Sequence, residues 1–228
     1  MRRRATYVSA AAIIASLAAL SACRTTRPAG REQPLQPLTV SSREAVIPEL
    51  QRQMSSFHAL RSLMRVHVTS GERSQSFRAQ MLVEPQTERM ELTAYTPIGT
   101  EAMTIAADRD RVLFLDHVHR TAWQGSSAEL AHSIGFFDPQ TVPALWALDL
   151  FGFPARGEFV AGDAGLASGT VGDIGMGFDP PVFPPHQVTV TRGAEKLEVT
   201  YLELASTDAS VRPLSIPRDY RCCVAPEM

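Results

Sequence analysis

Two histidines that follow an aspartate are the residues whose types come closest to a metal site. His117 and His119 flank a single valine directly after Asp116, so an extended backbone places both imidazoles on one face. A His-x-His pair can hold zinc or copper, but a metal site needs a further ligand, and no spacing in the chain supplies one. The pattern therefore favours a polar turn over a metal site.

The other motifs that resemble catalytic sites are incomplete. The glycines of 172–177, GDIGMG, are spaced like a phosphate loop, but the lysine of a P-loop is missing. Ser126 and Ser127 lack a Gly-x-Ser-x-Gly elbow, and Asp108 and Asp110 bracket a turn, where aspartate is expected for backbone reasons. The sequence thus predicts no enzyme, no catalytic residue, no metal and no cofactor, and a hydrolase ranks last among the alternatives.

The N-terminus carries the clearest chemical signal. Residues 1–22 combine three arginines with an apolar run that is too short for a membrane span, which is the pattern of an export signal. Leu20-Ser21-Ala22-Cys23 resembles a bacterial lipobox, which implies cleavage before Cys23 and lipidation of that residue. Arg24, in place of an aspartate, favours sorting to the outer membrane. We therefore expect a lipid-anchored protein facing the periplasm; an ordinary secretory signal with an incidental cysteine is the alternative.

The two remaining cysteines, Cys222 and Cys223, are adjacent. Neighbouring Cα atoms lie only about 3.8 Å apart, which is short for a disulfide, so a bridge between them is strained. A free pair and a link to a partner remain open in an oxidising compartment, and the sequence assigns these residues no role.

Composition sets the class of the mature protein. The formal net charge is −2, and cleavage removes three arginines, so the mature chain is mildly acidic and unsuited to nucleic acid. With 44% hydrophobic residues among 228, a core needs no disulfide. Residues 24–38 are rich in Pro, Gln, Arg and Thr, which predicts a lipidated cysteine and flexible tether over 23–40, a single domain over 41–220 and a C-terminal tail over 221–228.

The domain is organised around residues 89–124. Met90, Leu92 and Ala94 alternate with polar or aromatic residues, which is the period of a β-strand. Further strands are predicted over 101–107, 111–116 and 119–124, and because sequence neighbours usually pair, the four strands form a meander.

The first turn of this meander has an apolar tip. Pro97 fixes φ and Gly99 tolerates φ > 0, so Ile98 lies at the tip of a tight turn with little to pack against. Packing of Ile98 back onto its own hairpin is the alternative.

Two helices and two further hairpins complete the expectation. Ser41 and Ser42 can cap a helix from about Arg43 whose apolar stripe ends at Phe57, and a second helix over 139–151 includes Trp146 and is apolar around most of its circumference. Hairpins are predicted over 60–84 and 188–201 and a last strand near 214–216, whereas 153–185 is predicted to be loop-rich.

These motifs together resemble the LolB family of outer-membrane lipoprotein receptors. The residues that carry the resemblance are L-T-x-x-T-P-I-G-T-E-A-M from Leu92, V-L-F-L-D from Val112 and V-P-A-L-W-A-L-D-L-F-G-F-P from Val142, within about 63–154. In that family a protruding N-P-L-G-x-x-E loop places lipoproteins in the membrane, and Pro97, Ile98 and Gly99 occupy its position here.

The resemblance implies a mainly β fold in which a strongly curved antiparallel sheet, an incomplete barrel, is covered by α-helices. It also implies an apolar cavity for acyl chains, for which we select the apolar residues of the concave strands and their covers: Phe57, Met90, Leu92, Ala94, Phe114 and Trp146. Acylated lipoproteins, handed over by a periplasmic lipoprotein carrier, are the expected cargo. A structural or assembly lipoprotein with a self-filled cavity that binds a protein partner is the alternative.

Overall fold

The computed structural model describes residues 31–129 and 142–222. Within them, thirteen strands form one sheet. The strands are β1 (Glu32–Pro34), β2 (Ala59–Ser70), β3 (Arg73–Glu84), β4 (Arg89–Tyr95), β5 (Glu101–Asp108), β6 (Arg111–Asp116), β7 (Thr121–Ser126), β8 (Glu158–Ala161), β9 (Leu166–Val171), β10 (Ile174–Asp179), β11 (Gln187–Arg192), β12 (Glu195–Thr207) and β13 (Arg221–Cys222). A short 3-10 helix (Arg43–Ala45) leads into α1 (Val46–Ser56), and α2 is Pro143–Leu150.

The sheet is curved and does not close on itself, which confirms the predicted fold class. Its order is β13-β7-β6-β5-β4-β3-β2-β12-β11-β10-β9-β8, with β1 added beside β12. Within the described residues, every pairing of two strands is antiparallel except that of β13 with β7, and an isolated bridge between Ala164 and Val182 is parallel. The predicted meander is present as β4 to β7. Its last strand begins at Thr121 rather than at 119, because Asp116 accepts hydrogen bonds from His119 and holds the intervening residues in a turn.

The concave face of the sheet contains the main core. Alternate residues of the strands point inward, and they meet α1 and α2 in one continuous apolar cluster. The helix α2 packs against β3, β4 and β5, and α1 lies near β8. No helix in residues 31–129 or 142–222 is both long and apolar enough to cross a bilayer.

The convex face of the meander is also covered, by the chain that follows β12. Val211 N donates to Glu84 Oε1 at 2.7 Å, and Arg212 donates from two nitrogens to the buried carboxylate of Glu91, at 2.9 and 2.6 Å. Further along, Leu214, Ile216 and Tyr220 pack on a patch formed by Leu113, Leu115 and Ala122. We call residues 208–222 the C-terminal strap. The predicted strand at 214–216 is wrong, because this segment crosses the sheet between two prolines instead of pairing with it.

Two further predictions about the ends and loops need correction. Residues 32–38, assigned to the tether, belong to the domain, because β1 pairs with β12 and both Leu35 and Leu38 are buried. Residues 153–185, assigned to loops, contain β8, β9 and β10. The predicted helix start is nearly right, but Ser42 makes no side-chain cap and α1 follows a 3-10 turn.

Candidate functional site

The concave face brings the six predicted cavity residues to one side of the sheet. Met90, Phe114 and Trp146 belong to the core cluster, Phe57 and Leu92 pack against it, and Ala94 is buried opposite Met103. Their positions follow from register, since the pairs Leu92–Ile105, Ile105–Phe114 and Phe114–Trp123 carry one apolar row across the meander. Of the small residues of β5, Ala107 faces inward, but Ala106 lies opposite Glu91 on the convex face.

The helix α2 fills much of the concave face. Of its eight residues, seven are buried, including Trp146, Leu148 and Leu150. Its C-terminal end is fixed by the buried hydroxyl of Tyr201, which donates to the carbonyl oxygen of Leu150 at 2.8 Å. The ring of Tyr201 also packs edge-on against Phe151, with centroids 6.0 Å apart. The helix α2 is therefore a fixed cover over β3, β4 and β5.

A buried carboxylate closes the turn after α2. Asp149 Oδ1 accepts hydrogen bonds from the backbone nitrogens of Ala155, at 2.8 Å, and Arg156, at 3.2 Å. The other oxygen, Oδ2, is buried and has no hydrogen-bond partner among the described residues. Burial raises the pKa of Asp149 to about 7, against the opposing effect of the backbone N–H groups and the charge of Arg156. Sequence reasoning missed this residue, although an aspartate inside a helix that is otherwise apolar was the signal.

The helix α1 is held more lightly than α2. Only Val46 and Leu50 are buried, whereas Ile47, Met54 and Phe57 are partly exposed against the core. Side-chain hydrogen bonds connect this part of the chain to the rest of the domain. Arg43, just before α1, donates to the carbonyl oxygen of Ala161, and Gln51 donates to that of Pro154. Gln86 donates to the carbonyl oxygen of Ser55 in α1.

An open groove of about 380 Å³ lies beside the N-terminal half of α1. It is lined by residues of the preceding loop and of the helix: Thr39, Val40, Ser41, Ala45, Pro48, Glu49 and Arg52. The groove therefore marks the outer margin of α1 rather than the predicted interior cavity.

The turn at Pro97 to Gly99 projects its central side chain into solvent. Ile98 is 87% exposed, the largest exposed fraction among the large hydrophobic residues of the described chain. Gly99 N donates to Thr96 O at 2.9 Å, Thr96 N donates to Thr100 O at 2.8 Å, and Gly99 has φ 85°, a value that suits glycine. Ile98 thus does not pack back onto its hairpin.

His117 and His119 are held by hydrogen bonds to neighbouring side chains. His117 contacts Thr104 Oγ1 through Nε2, at 2.8 Å, and the Tyr220 hydroxyl through Nδ1. His119 donates its backbone N–H to Asp116 and pairs with the same carboxylate through Nδ1, at 2.7 Å. Partial burial opposes ionisation of Asp116, but these bonds from His119 outweigh it and lower the pKa of the carboxyl. Among the described residues, no group of three or more potential ligands could hold a metal ion.

Three other sequence motifs are partly resolved. Ser126 and Glu129 form a capping box after β7, since Ser126 N donates to Glu129 Oε2 at 2.7 Å and Glu129 N donates to Ser126 Oγ at 3.3 Å. Residues 130–141, with the predicted helix start at 138–139, lie outside the described residues. The helix predicted over 139–151 begins at Pro143, because Val142 is extended and serves as its N-cap. Cys222 is disulfide-bonded, which excludes the free thiol. Cys23 and Cys223 also lie outside the described residues.

The fold and the face together define a class: an open, curved antiparallel sheet whose apolar concave face is covered by two helices. No protein-family model matches the chain, and no curated protein matches its sequence. Similar solved structures include a LolA superfamily protein from Nitrosomonas europaea, at 7% identity, 75% coverage of this chain, 96% of that chain and a TM-score of 0.45. A DUF1329 family protein from Desulfovibrio piger matches at 8% identity, with 76% and 96% coverage and a TM-score of 0.47.

An uncharacterized conserved protein from Thermus thermophilus matches at 12% identity, with 77% and 95% coverage and a TM-score of 0.43. Likenesses at these values concern the general arrangement of the sheet. The resemblance of the sequence to LolB stays a prediction.

The buried carboxylate gives the folded protein a pH dependence. Asp149 has a folded-state pKa of about 7 against 3.8 as its ordinary value, so between these values the folded state keeps a proton that the unfolded state releases. The free energy of unfolding therefore falls as pH rises, by about 2–3 kcal/mol from pH 5 to pH 8. Asp149→Asn keeps an oxygen acceptor but cannot ionise. We therefore expect its free energy of unfolding, measured with urea, to be the same at pH 5 as at pH 8. Asp163→Asn, at an exposed loop position, is the control, and equal pH dependence in all three proteins contradicts the assignment.

Proposed function

We propose that the protein is a lipid-anchored, non-enzymatic carrier of acyl chains that receives lipoproteins from a periplasmic carrier and places them in the outer membrane. The observation that supports it most directly is the apolar concave face beneath a lightly tied amphipathic helix, α1. An uncovered apolar face binds a lipid chain by hydrophobic contact alone, so neither nucleotide nor cofactor enters the proposal.

The free energy of burying an acyl chain determines how much apolar contact the site must provide. About fourteen buried methylenes at ~0.8 kcal/mol each contribute on the order of 10 kcal/mol. The concave face is already covered by α1 and α2, so cargo must replace protein contacts with equivalent apolar contacts. Release of α1 exposes Leu50, Met54 and Phe57 together with the strand residues beneath them, at the cost of few hydrogen bonds. We therefore assign α1 as the cover that moves and α2 as the wall that stays.

The second candidate, a structural or assembly lipoprotein with a self-filled core, is favoured by one observation. Seven residues of α2 are buried and its C-terminal end is fixed by Tyr201 and Asp149. If α1 is equally fixed in solution, the concave face is ordinary core and no cargo binds.

Probe binding separates the two candidates. An apolar fluorescent probe should bind the mature chain carrying Cys23→Ser, and acylated peptide should displace it whereas the same peptide without acyl chains should not. Met54→Ala should tighten probe binding several-fold, because it removes part of the cover at a cost of roughly 1–2 kcal/mol in unfolding free energy.

Arg52→Ala, on the exposed side of α1, is the matched control and should leave the probe affinity unchanged. Equal displacement by both peptides, with no effect of Met54→Ala beyond stability, supports the self-filled alternative.

Lipid anchoring rests on the lipobox resemblance at Cys23. Labelled palmitate should be incorporated into the wild-type chain, and the protein should fractionate with the outer membrane. Cys23→Ser should lose both properties while the concave face is unchanged. Continued incorporation of palmitate by the Cys23→Ser protein excludes this anchor site.

The exposed tip is proposed to enter the bilayer during delivery. Transfer of a branched aliphatic side chain from water into an apolar phase contributes ~1.5–3 kcal/mol. We expect Ile98→Glu to leave the thermal midpoint and probe binding within error of wild type, because Ile98 is 87% exposed, but to abolish delivery of acylated cargo to liposomes. A loss of more than ~2 kcal/mol in unfolding free energy would instead show that Ile98 is part of the core.

A further inference from the structure

A second exposed aliphatic side chain lies in the turn next to that of Ile98. Val118 is 64% exposed in the turn between β6 and β7, and Ile98 lies in the turn between β4 and β5. Both turns are at the same end of the strands, because β4 and β6 run in the same direction in the antiparallel meander. At the start of the second turn, His117 N donates to the carbonyl oxygen of Ala102 in β5, at 2.9 Å. We call this end of the strands the tip end of the sheet.

The two hairpins are close together in the sheet. Neighbouring strands are about 4.8 Å apart, so the β4–β5 and β6–β7 hairpins are about 10 Å apart across the strands. The β4–β5 turn projects further along the strands, because Tyr95 pairs with Glu101 whereas Asp116 pairs with Met103. The other large hydrophobic residues that are exposed in the described chain, Val160, Val182 and Leu202, lie outside this meander. The meander thus concentrates two of the five exposed large hydrophobics at one end.

Polar contacts hold Val118 outward. On one side of it, His117 is fixed between Thr104 and Tyr220, and on the other, Asp116 accepts from His119. Arg120, with φ 52° and an ion pair to Asp219 at 3.5 Å, ends the turn. Because both neighbours of Val118 are held in place, the valine cannot turn inward without breaking these contacts. The conformation of the turn therefore keeps the side chain of Val118 exposed.

We propose that Val118 is a second membrane-contact point, and that the tip end of the sheet docks on the phospholipid bilayer through Ile98 and Val118 together. This inference rests on the proposed function, in which Ile98 enters the bilayer during delivery. Two contact points define a line on the membrane rather than a single pivot, so they fix how the sheet is oriented about its strand direction.

A bilayer fits this surface better than a protein does. A stable protein interface buries on the order of 1,000 Å² or more and has a contiguous apolar centre, and two separate side chains fall far short of it. Around the two tips lie hydroxyl and charged groups, including Thr96, Thr100 and Arg120, that suit the hydrated headgroup layer. Charges of both signs are present, as in the Arg120–Asp219 pair, so docking is not expected to depend on anionic lipid.

An environment-sensitive fluorophore at each tip tests the inference. Ile98→Cys, Val118→Cys and Val160→Cys are prepared singly in the full lipidated chain, labelled and reconstituted in vesicles of phosphatidylethanolamine and phosphatidylglycerol. A protein without an added cysteine gives the background labelling. Val160, also exposed but in β8 at the far margin of the sheet, is the matched control.

We expect a blue shift and a rise in emission with the label at 98 and at 118, and none at 160. A response at 98 alone overturns the second contact point and leaves the proposed function standing. A response at neither tip removes the membrane contact from the proposed function as well. A response at all three positions overturns the inference, because it shows non-specific attachment.

A charge substitution gives an independent readout. Val118→Glu should weaken the vesicle partitioning of the unlipidated Cys23→Ser chain by about tenfold, a factor similar to that expected for one valine leaving an apolar phase. Val160→Glu should leave partitioning unchanged. The thermal midpoint of Val118→Glu should equal that of wild type, and its probe binding should also be retained, since 118 is remote from the concave core. An unchanged partitioning of Val118→Glu overturns the proposal.

Discussion

An open sheet with an apolar concave face must be covered, and the rest of the structure follows from that requirement. A sheet that does not close leaves its inner row of aliphatic side chains facing water unless other elements pack there. The helix α2 supplies the cover over β3, β4 and β5, and α1 covers the margin toward β8. The two covers differ in how firmly they are held. One is buried almost completely and fixed at its end, and the other is tied by a few hydrogen bonds at the surface.

The convex face is stabilised by different means. There the meander carries polar residues such as Glu91, Thr93 and Thr104, which solvent cannot reach because the C-terminal strap covers them. Each finds a partner in the strap or in its neighbours: Arg212 pairs with Glu91, and the two threonines approach each other and His117. Burial of polar groups is tolerated when their hydrogen bonds are satisfied, so these residues lie beneath the strap beside the apolar patch of Leu113, Leu115 and Ala122.

Sequence patterns predicted the strands whose two faces differ most in polarity. The alternation at Met90, Leu92 and Ala94 identified the meander, and the hairpins on either side of Gly71 and Gly193 were found because glycine marks tight turns. Strands β8 to β10 were missed because glycines dominate the segment, although Ile174, Met176 and Phe178 alternate as buried residues of β10 and carried the signal. The packing of residues 32–38 on the domain could not be predicted from the sequence, because two leucines in a polar, proline-rich stretch show no periodic pattern. The strap was likewise hidden, since a segment that crosses a sheet follows no strand pattern.

The direction of β4 links the covered face to the tip end. Its inward residues run from Met90, under α2, through Leu92 to Ala94, and the next turn carries Ile98. An acyl chain that lay along this row would leave the concave face at the same end of the sheet at which Ile98 and Val118 project. In the proposed function α2 stays in place over β4, so cargo admitted by movement of α1 lies beside α2 and leaves the concave face at the end of the sheet where this row ends.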